Sequence, residues 1–193
     1  MRFERVFDVA PSVFERQIQS TYTELQDYYK LNCHDIDRQI FELFEKLSGM
    51  GVYAQQEGKG EISCLCISYL YSSLVTGTGE FCLSLYDDRV YFDDNPIYIF
   101  WSPVFLWRQF DKDVEEIICS FKKLGIRLKK YELDAVKIEY VEQFFKIGHK
   151  MFADYSKLII TTMKNSTLKT TKDFSVIYGG YLDTATEIWR GNV

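Results

Sequence analysis

Four aspartates lie within eight residues in the segment YDDRVYFDDNP, which spans residues 86 to 96. Carboxylates this close together can bind a metal, act as a catalytic acid and base, or dock on a basic partner. The segment lacks the central glycine and the terminal glutamate of an EF-hand calcium loop. Aspartate is also common in turns, because its side chain accepts hydrogen bonds from nearby backbone amides. Asp87 with Asp88, and Asp93 with Asp94, are therefore predicted to form turns at the two ends of a short strand, where a partner can contact them.

Residues that usually perform catalysis are few in the rest of the chain. His34 and His149 are the two histidines, and neither has a nucleophile at a spacing typical of a catalytic pair. The five cysteines lack the paired spacing of a zinc site. Residues 76 to 80 (TGTGE) lack the lysine and the third glycine of phosphate-binding loops. We predict no catalytic residues, no metal and no cofactor, and the sequence favours a protein without enzymatic activity while leaving that question open.

Aromatic side chains are abundant, at 17% of the residues, with 14 Tyr and 15 Phe. Buried rings supply a large apolar core, and tyrosine and tryptophan are also enriched at protein interfaces. Four of them are interleaved with the aspartates: Tyr86, Tyr91, Tyr98 and Trp101. Together with the four aspartates, they form the predicted partner-binding surface.

Charge is distributed unevenly along the chain, although the net charge is only −5. Residues 80 to 116 contain nine Asp and Glu against three Lys and Arg, whereas residues 117 to 172 contain five against twelve. The basic part has a local focus in the alternative anion-binding residues Lys122, Lys123, Arg127, Lys129 and Lys130. A pI of about 5.2 argues against a nucleic-acid partner. The acidic part is expected to attract a basic protein.

The apolar spacing predicts a single α+β domain over residues 1–193. Residues 1–50 have two helical stripes that predict an N-terminal helical hairpin, with the second helix following Asn32. An antiparallel meander of four strands is predicted at about 61–101. The sequence allows extensions of this sheet at 126–133 and 174–189. Further helices are predicted at 111–124, capped by Asp111, and over a long stretch at about 134–164.

The chain start mixes charges with apolar residues and offers no apolar core of a signal peptide. No stretch is long and apolar enough to span a bilayer, and five cysteines without a framework spacing are typical of a reducing compartment. We therefore expect a cytoplasmic protein that makes no contact with a membrane.

These observations predict a non-enzymatic, cytosolic protein-binding domain that docks its acidic, aromatic-rich surface on a basic partner. A bacterial immunity or inhibitor protein that neutralises a toxin or effector is a concrete form of this hypothesis. The alternatives are an enzyme or small-ligand-binding protein with a site between the sheet and the long helix, and a nucleic-acid-binding protein acting through Lys122–Lys130. Self-association into a homo-oligomer is left open.

Overall fold

The computed structural model describes residues 2 to 192, with side chains from residue 6 onward. These residues form five α-helices: α1 (Arg2–Gln56), α2 (Tyr71–Thr76), α3 (Val104–Lys123), α4 (Lys130–Asp154) and α5 (Ser156–Lys164). They also form five strands: β1 (Ile62–Tyr69), β2 (Phe81–Tyr86), β3 (Ile97–Trp101), β4 (Thr170–Gly180) and β5 (Ala185–Gly191). The predicted α+β class is confirmed.

The strands form one mixed sheet in the order β3-β2-β1-β4-β5. The first three strands make the predicted antiparallel meander, with Leu65 opposite Leu85 and Leu83 opposite Ile99. β4 pairs parallel to β1, which is possible because α3, α4 and α5 supply the long connection from β3. The predicted sheet extension at 174–189 is confirmed, since β4 and β5 pair antiparallel across it.

The prediction of a fourth meander strand is wrong. Val90–Phe92 forms one turn of 3₁₀ helix, and Val90 has a φ of 50°, an unusual conformation for a β-branched residue. Arg89 and Asp93 flank this turn, and their ion pairs with neighbouring residues hold it in place. Sequence alternation over so few residues does not reveal these competing polar contacts.

The possible extension of the sheet at 126–133 is not formed, because α4 begins at Lys130. The backbone N–H of Lys129 donates to Oε2 of the buried Glu132 at 2.7 Å. This side-chain bond satisfies an N–H group at the start of the helix, so it favours helix over strand here.

The predicted division into two helical segments at Asn32 is found, because Asn32 has non-helical φ −122° and ψ 15° inside α1, but it is a kink without an intervening loop. Two other helix boundaries differ from the prediction. α3 begins at Val104, directly after Pro103, rather than at Asp111. The long helix is divided into α4 and α5 at Tyr155.

The chain divides into two compact units. Unit 1 comprises the residues up to Cys33 together with Pro103–Ile147. Its core is rich in stacked and edge-on rings, with Phe110 contacting Tyr140 at 6.2 Å and Phe144 at 5.2 Å between ring centroids. Aromatic pairs of this kind add stability beyond the area they bury.

Unit 2 comprises His34–Ser102 and Gly148–Val193 and contains the sheet. One face of the sheet packs on helices through Phe81, Phe152 and Tyr178, whose ring centroids lie 5.4 to 6.2 Å apart. Gly148 of α4 meets this ring cluster at close range, since a Cβ atom there would lie 2.7 Å from the Tyr178 hydroxyl oxygen and 2.9 Å from Cζ of Phe81.

We expect Gly148→Ala to lower the free energy of unfolding by about 1–3 kcal/mol, because the added methyl group overfills this contact. Alanine would otherwise stabilise a helix by about 1 kcal/mol relative to glycine. Gly49→Ala in α1 is the matched control, since a Cβ atom there meets nothing within 4 Å, and it should be neutral or stabilising. Urea unfolding of both variants checks this, and an equal gain in stability from both substitutions would contradict the packing argument.

Candidate functional site

The four aspartates of the acidic segment, residues 86–96, do not act alike. Asp93 is buried, and its carboxylate accepts hydrogen bonds from the Lys59 ammonium at 2.6 Å and from the backbone N–H groups of Asp87 and Asn95 at 3.0 Å each. Burial raises the pKa of Asp93, but Lys59 and the two amides lower it further, so the net pKa lies below 3.8. Asp93 therefore anchors the loop to residues on either side of it.

Arg89 forms ion pairs with Asp87 and Asp94. Its guanidinium donates to Asp87 Oδ2 at 2.9 Å and to Asp94 Oδ2 at 2.5 Å, and its backbone N–H donates to Asp87 Oδ1 at 2.9 Å. The hydrogen bond from Arg89 lowers the pKa of Asp87 below its ordinary value. The bond from a backbone N–H two residues later is the turn arrangement predicted for aspartate.

The predicted partner-binding surface is consequently smaller than the sequence suggests. Asp88 and Asp94 are exposed and Asp87 is half-buried, whereas Asp93 is inaccessible to a partner. Tyr86 is also buried, because it lies opposite Cys64, clusters with Cys64 and Cys66, and packs against the Tyr91 ring at 5.6 Å between centroids. Asp93 and Tyr86 were predicted to contact a partner, but both side chains are buried, so they do not belong to the partner-binding surface.

The accessible aromatic residues lie on and beside β3. Tyr98 and Phe100 are 53% and 49% exposed, and their ring centroids are 5.7 Å apart on one face of the strand. Trp101 points to the opposite face and is half-buried against Phe81 and Phe152. Tyr91 is partly exposed beside the sheet. Phe100 is a surface residue that the sequence reasoning missed, although the period-two alternation from Ile97 to Trp101 predicts that it shares a face with Tyr98.

A shallow, open groove lies beside the start of β3. It is lined by Gly49, Met50 and Tyr53 of α1 and by Pro96, Ile97 and Tyr98, and its volume is about 640 Å³. The lining is largely apolar, and Met50 and Tyr53 are exposed. We call it the β3 groove. Its residues come from segments almost fifty positions apart, so local sequence patterns contain no signal for it.

The net charge of the protein resides in unit 2. Residues 34–102 and 148–193 contain 15 Asp and Glu against 10 Lys and Arg, a balance of −5, whereas residues 1–33 and 103–147 contain 13 of each. The β3 groove and the acidic segment both belong to unit 2. A field of this sign favours association with a basic partner.

The alternative anion-binding residues lie at the end of α3, at the start of α4 and in the turn between them, all in unit 1. Gly125 has a φ of 73°, and the N–H of Ile126 donates to the carbonyl of Phe121 at 2.9 Å, a common helix C-terminal motif. This turn buries Ile126 and exposes all five cations, namely Lys122, Lys123, Arg127, Lys129 and Lys130. The Lys129 ammonium lies 5.9 Å from the centroid of the Tyr131 ring. Exposure of lysines at a helix end is the ordinary solvated arrangement.

Unit 1 contains a buried carboxylate that the sequence analysis did not single out. Asp113 of α3 accepts hydrogen bonds from Thr21 Oγ1 at 2.5 Å and Tyr140 Oη at 2.7 Å, and from the amide nitrogens of Gln17 at 3.0 Å and Gln109 at 2.9 Å. Asp113 is fully buried, and burial raises its pKa above 3.8 despite the four donors. All four donors are neutral, so the cluster ties α1, α3 and α4 together without an ion pair to Asp113 among the side chains of residues 6–192.

Several residues of the types that carry catalysis are used for packing, whereas His34 and Cys119 are exposed. Cys64 and Cys66 are buried on one face of the sheet as expected for a strand, and burial raises the pKa of Cys64 to about 11, so its thiol stays protonated. The His149 ring contacts Tyr178 at 5.3 Å between centroids. Among residues 6–192 we find no group of three or more His, Cys, Asp or Glu side chains able to hold a metal ion.

The sheet and α4 are in close contact in unit 2 at Gly148. Phe81, Phe152 and Tyr178 occupy the region beside Gly148, where even one added methyl group would be too close.

Over the same described residues, none of the helices combines the length and apolar character needed to cross a bilayer.

Comparison with known proteins adds no functional information: no family model, curated protein or solved structure matches this chain.

Proposed function

We propose that the protein is a non-enzymatic binding protein that docks on a basic protein partner through unit 2. The observation that carries this proposal is the coincidence, within unit 2, of the whole net charge of −5 and the exposed aromatic pair Tyr98 and Phe100. Tyrosine and other rings provide large contact areas at interfaces, while carboxylates beside them steer the encounter with a basic surface.

The acidic contribution comes from the carboxylates that remain exposed. Asp88 and Asp94 lie in the acidic segment that precedes β3, and the Asp94 side chain is 85% exposed although it pairs with Arg89. Glu45 lies on the exposed side of α1, and Glu57 follows the end of that helix. Asp93 and Asp87 hold the loop in shape, so they support this surface without belonging to its contact area.

A narrower form of the proposal is an immunity or inhibitor protein of the cytoplasm that neutralises a toxin or effector. Toxins that act on nucleic acids carry basic clefts, and an acidic surface of this kind is complementary to them. The proposal in this form requires that the captured partner be basic and lose its activity when bound.

The proposal predicts that a partner captured from native lysate and then purified is a basic protein whose affinity falls as salt rises. Asp88→Asn combined with Asp94→Asn should raise the dissociation constant of the complex with this partner about tenfold, mostly through slower association. Asp111→Asn with Asp134→Asn is the matched control, because it removes two exposed carboxylates from unit 1. Surface plasmon resonance at low and high salt measures both variants.

Two outcomes would refute the proposal. One is an acidic partner whose binding is insensitive to salt. The other is an equal loss of affinity in the unit 1 control, which would show that only overall charge matters. A partner that is basic yet remains fully active in the complex would refute the inhibitor form alone.

A further inference from the structure

We propose that the partner binds by adding an extended segment to β3 as a further strand, with one of its apolar side chains in the β3 groove and lysine or arginine residues beside it. This inference rests on the proposed protein-binding function and names how the partner binds. It follows from the position of β3 in the sheet, from the shape of the groove and from the charges around it.

β3 is an edge strand, paired with β2 on one side only within the described chain. An edge strand leaves alternate backbone N–H and C=O groups pointing away from its sheet, where an added strand can pair with them. Proteins commonly protect such edges with charged side chains or bulges. β3 instead carries the exposed aromatic residues Tyr98 and Phe100, opposite the small residues Ser84 and Cys82 of β2.

The other edge of the sheet provides an internal comparison. β5 exposes Glu187 and Arg190, which form an ion pair at 2.6 Å, and its pairing with β4 is irregular between Val176 and Ile177. Charges and irregular pairing both discourage strand addition. Of the two edges of this sheet, β3 is thus the one suited to receive another strand.

The β3 groove adjoins the first residues of β3. Met50 and Tyr53 form its α1 side, and Ile97 and Tyr98 form its strand side. At Gly49 an added Cβ atom would meet nothing within 4 Å, so the wall of the groove is open there. Successive side chains of a strand alternate between faces, so every second residue of the partner segment points towards α1 and one of them can fill the groove.

The exposed charges around the groove indicate which residues of the partner segment flank its apolar side chain. Glu45 is one helical turn before Gly49, Glu57 is four residues after Tyr53, and Asp94 precedes Pro96. All three carboxylates are exposed, and Asp94 is paired with Arg89. Lys46 is the one cation of residues 42–57. A segment that alternates an apolar residue with lysine or arginine therefore matches both the groove and its surroundings.

The test uses a short synthetic peptide of alternating lysine and valine, with blocked termini, added to the full chain. We expect amide hydrogen exchange in Ile97–Trp101 to slow on binding, since outward-facing amides gain hydrogen bonds. Tyr98→Lys should weaken binding by about tenfold or more. Tyr181→Lys is the matched control, because Tyr181 is similarly exposed, at 51% against 53%, but follows β4.

Backbone methylation separates strand addition from simple side-chain contact. Two versions of the peptide carry N-methyl groups on alternate residues, one set in each version. A peptide paired with β3 uses one set of N–H groups and not the other, so one version should bind about tenfold more weakly than the other. Equal binding by the two versions, or no binding by either the methylated or the unmethylated peptide, overturns the proposal.

Two further outcomes distinguish this inference from the proposed function. If the purified partner requires Asp88 and Asp94 but leaves the exchange of the β3 amides unchanged, the protein-binding function stands and strand addition is refuted. If sedimentation shows a dimer of this chain that Tyr98→Lys dissociates, the edge is covered by a second copy, which also overturns the proposal.

Discussion

Asp113→Asn is expected to lower the free energy of unfolding by about 3 kcal/mol near neutral pH, as measured by urea unfolding followed by circular dichroism. The Asp113 carboxylate accepts four hydrogen bonds, including those of Thr21 and Tyr140, and is fully buried. An asparagine in its place turns one acceptor atom into an NH₂ group that faces other donors. Buried polar groups without partners carry their full desolvation penalty.

Asp111→Asn, two residues earlier on α3, is the matched control. Asp111 is exposed, so the same chemical change should alter stability by no more than about 0.5 kcal/mol. Similar effects of the two substitutions would show that the Asp113 cluster does not stabilise unit 1. Thr21→Val should cost less than Asp113→Asn, because it removes one donor and leaves three.

The raised pKa of Asp113 makes the stability loss in Asp113→Asn depend on pH. Burial raises that pKa above the ordinary value of 3.8, so the folded protein holds the proton more tightly than the unfolded chain does. The contribution of this shift to the free energy of unfolding is fully present below pH 3.8 and is lost as pH rises through the pKa of folded Asp113. The stability deficit of Asp113→Asn should therefore be larger in acid than at neutral pH, and a deficit that shrinks in acid would contradict the shift.

Lys59→Met is expected to destabilise the protein by about 3–5 kcal/mol, because it leaves the Asp93 carboxylate buried without its counter-charge. Their side chains are only 4% and 1% exposed, and the Lys59 ammonium also donates to the carbonyl of Asn95 at 2.8 Å. Thermal or urea unfolding measures the loss. Hydrogen exchange should report it first at residues 87–96, the segment that this ion pair closes.

The matched control for this ion pair is Lys30→Met, which breaks an exposed pair with Asp27 whose side chains are 69% and 63% exposed. Exposed pairs contribute about 0–1 kcal/mol, so the effect of Lys30→Met should be small.

Because the pKa of Asp93 lies below 3.8 in the folded protein, the stability from ionised Asp93 is present above pH 3.8 and is lost as pH falls through the folded pKa. Lys59→Met should weaken this acid sensitivity, and an unchanged acid transition would refute the assignment.

The Lys59–Asp93 pair also connects stability to the proposed function. Asp93 accepts the N–H of Asn95, one residue before Pro96 of the β3 groove. Loosening this loop should therefore disturb the start of β3 and reduce partner affinity even though neither Lys59 nor Asp93 is a surface residue. This indirect effect is why the docking test replaces only Asp88 and Asp94.

Long, regular patterns were the parts of the fold that could be read from the sequence. The stripe of α3 around Val114 to Phe121, the alternation from Phe81 to Leu85 and the last two strands all depend on periodic burial, which is local in the chain. The α+β class and the meander followed from them. The turn role of the aspartates was likewise predictable, because the hydrogen bond from an amide two residues away is a local interaction.

Short segments and helix boundaries were not predictable in the same way. Val90–Phe92 alternates like a strand but folds into a 3₁₀ turn between ion-paired residues, and Asn32 bends a continuous helix instead of forming a loop. In both cases a few residues of pattern compete with contacts or continuity that depend on the surrounding chain. Propensity is a weak guide when tertiary interactions of several kcal/mol oppose it.

The sequence by itself determined the class of fold, the abundance of aromatic residues and the sign of the net charge. Only the tertiary structure decided which of those residues a partner can reach: it buried Asp93 and Tyr86, paired Arg89 with Asp87 and Asp94, and exposed Phe100. It also brought Met50 and Tyr53 beside Ile97 to form a groove. Burial and long-range contact depend on how distant segments pack, and a local pattern of residue types does not contain that information.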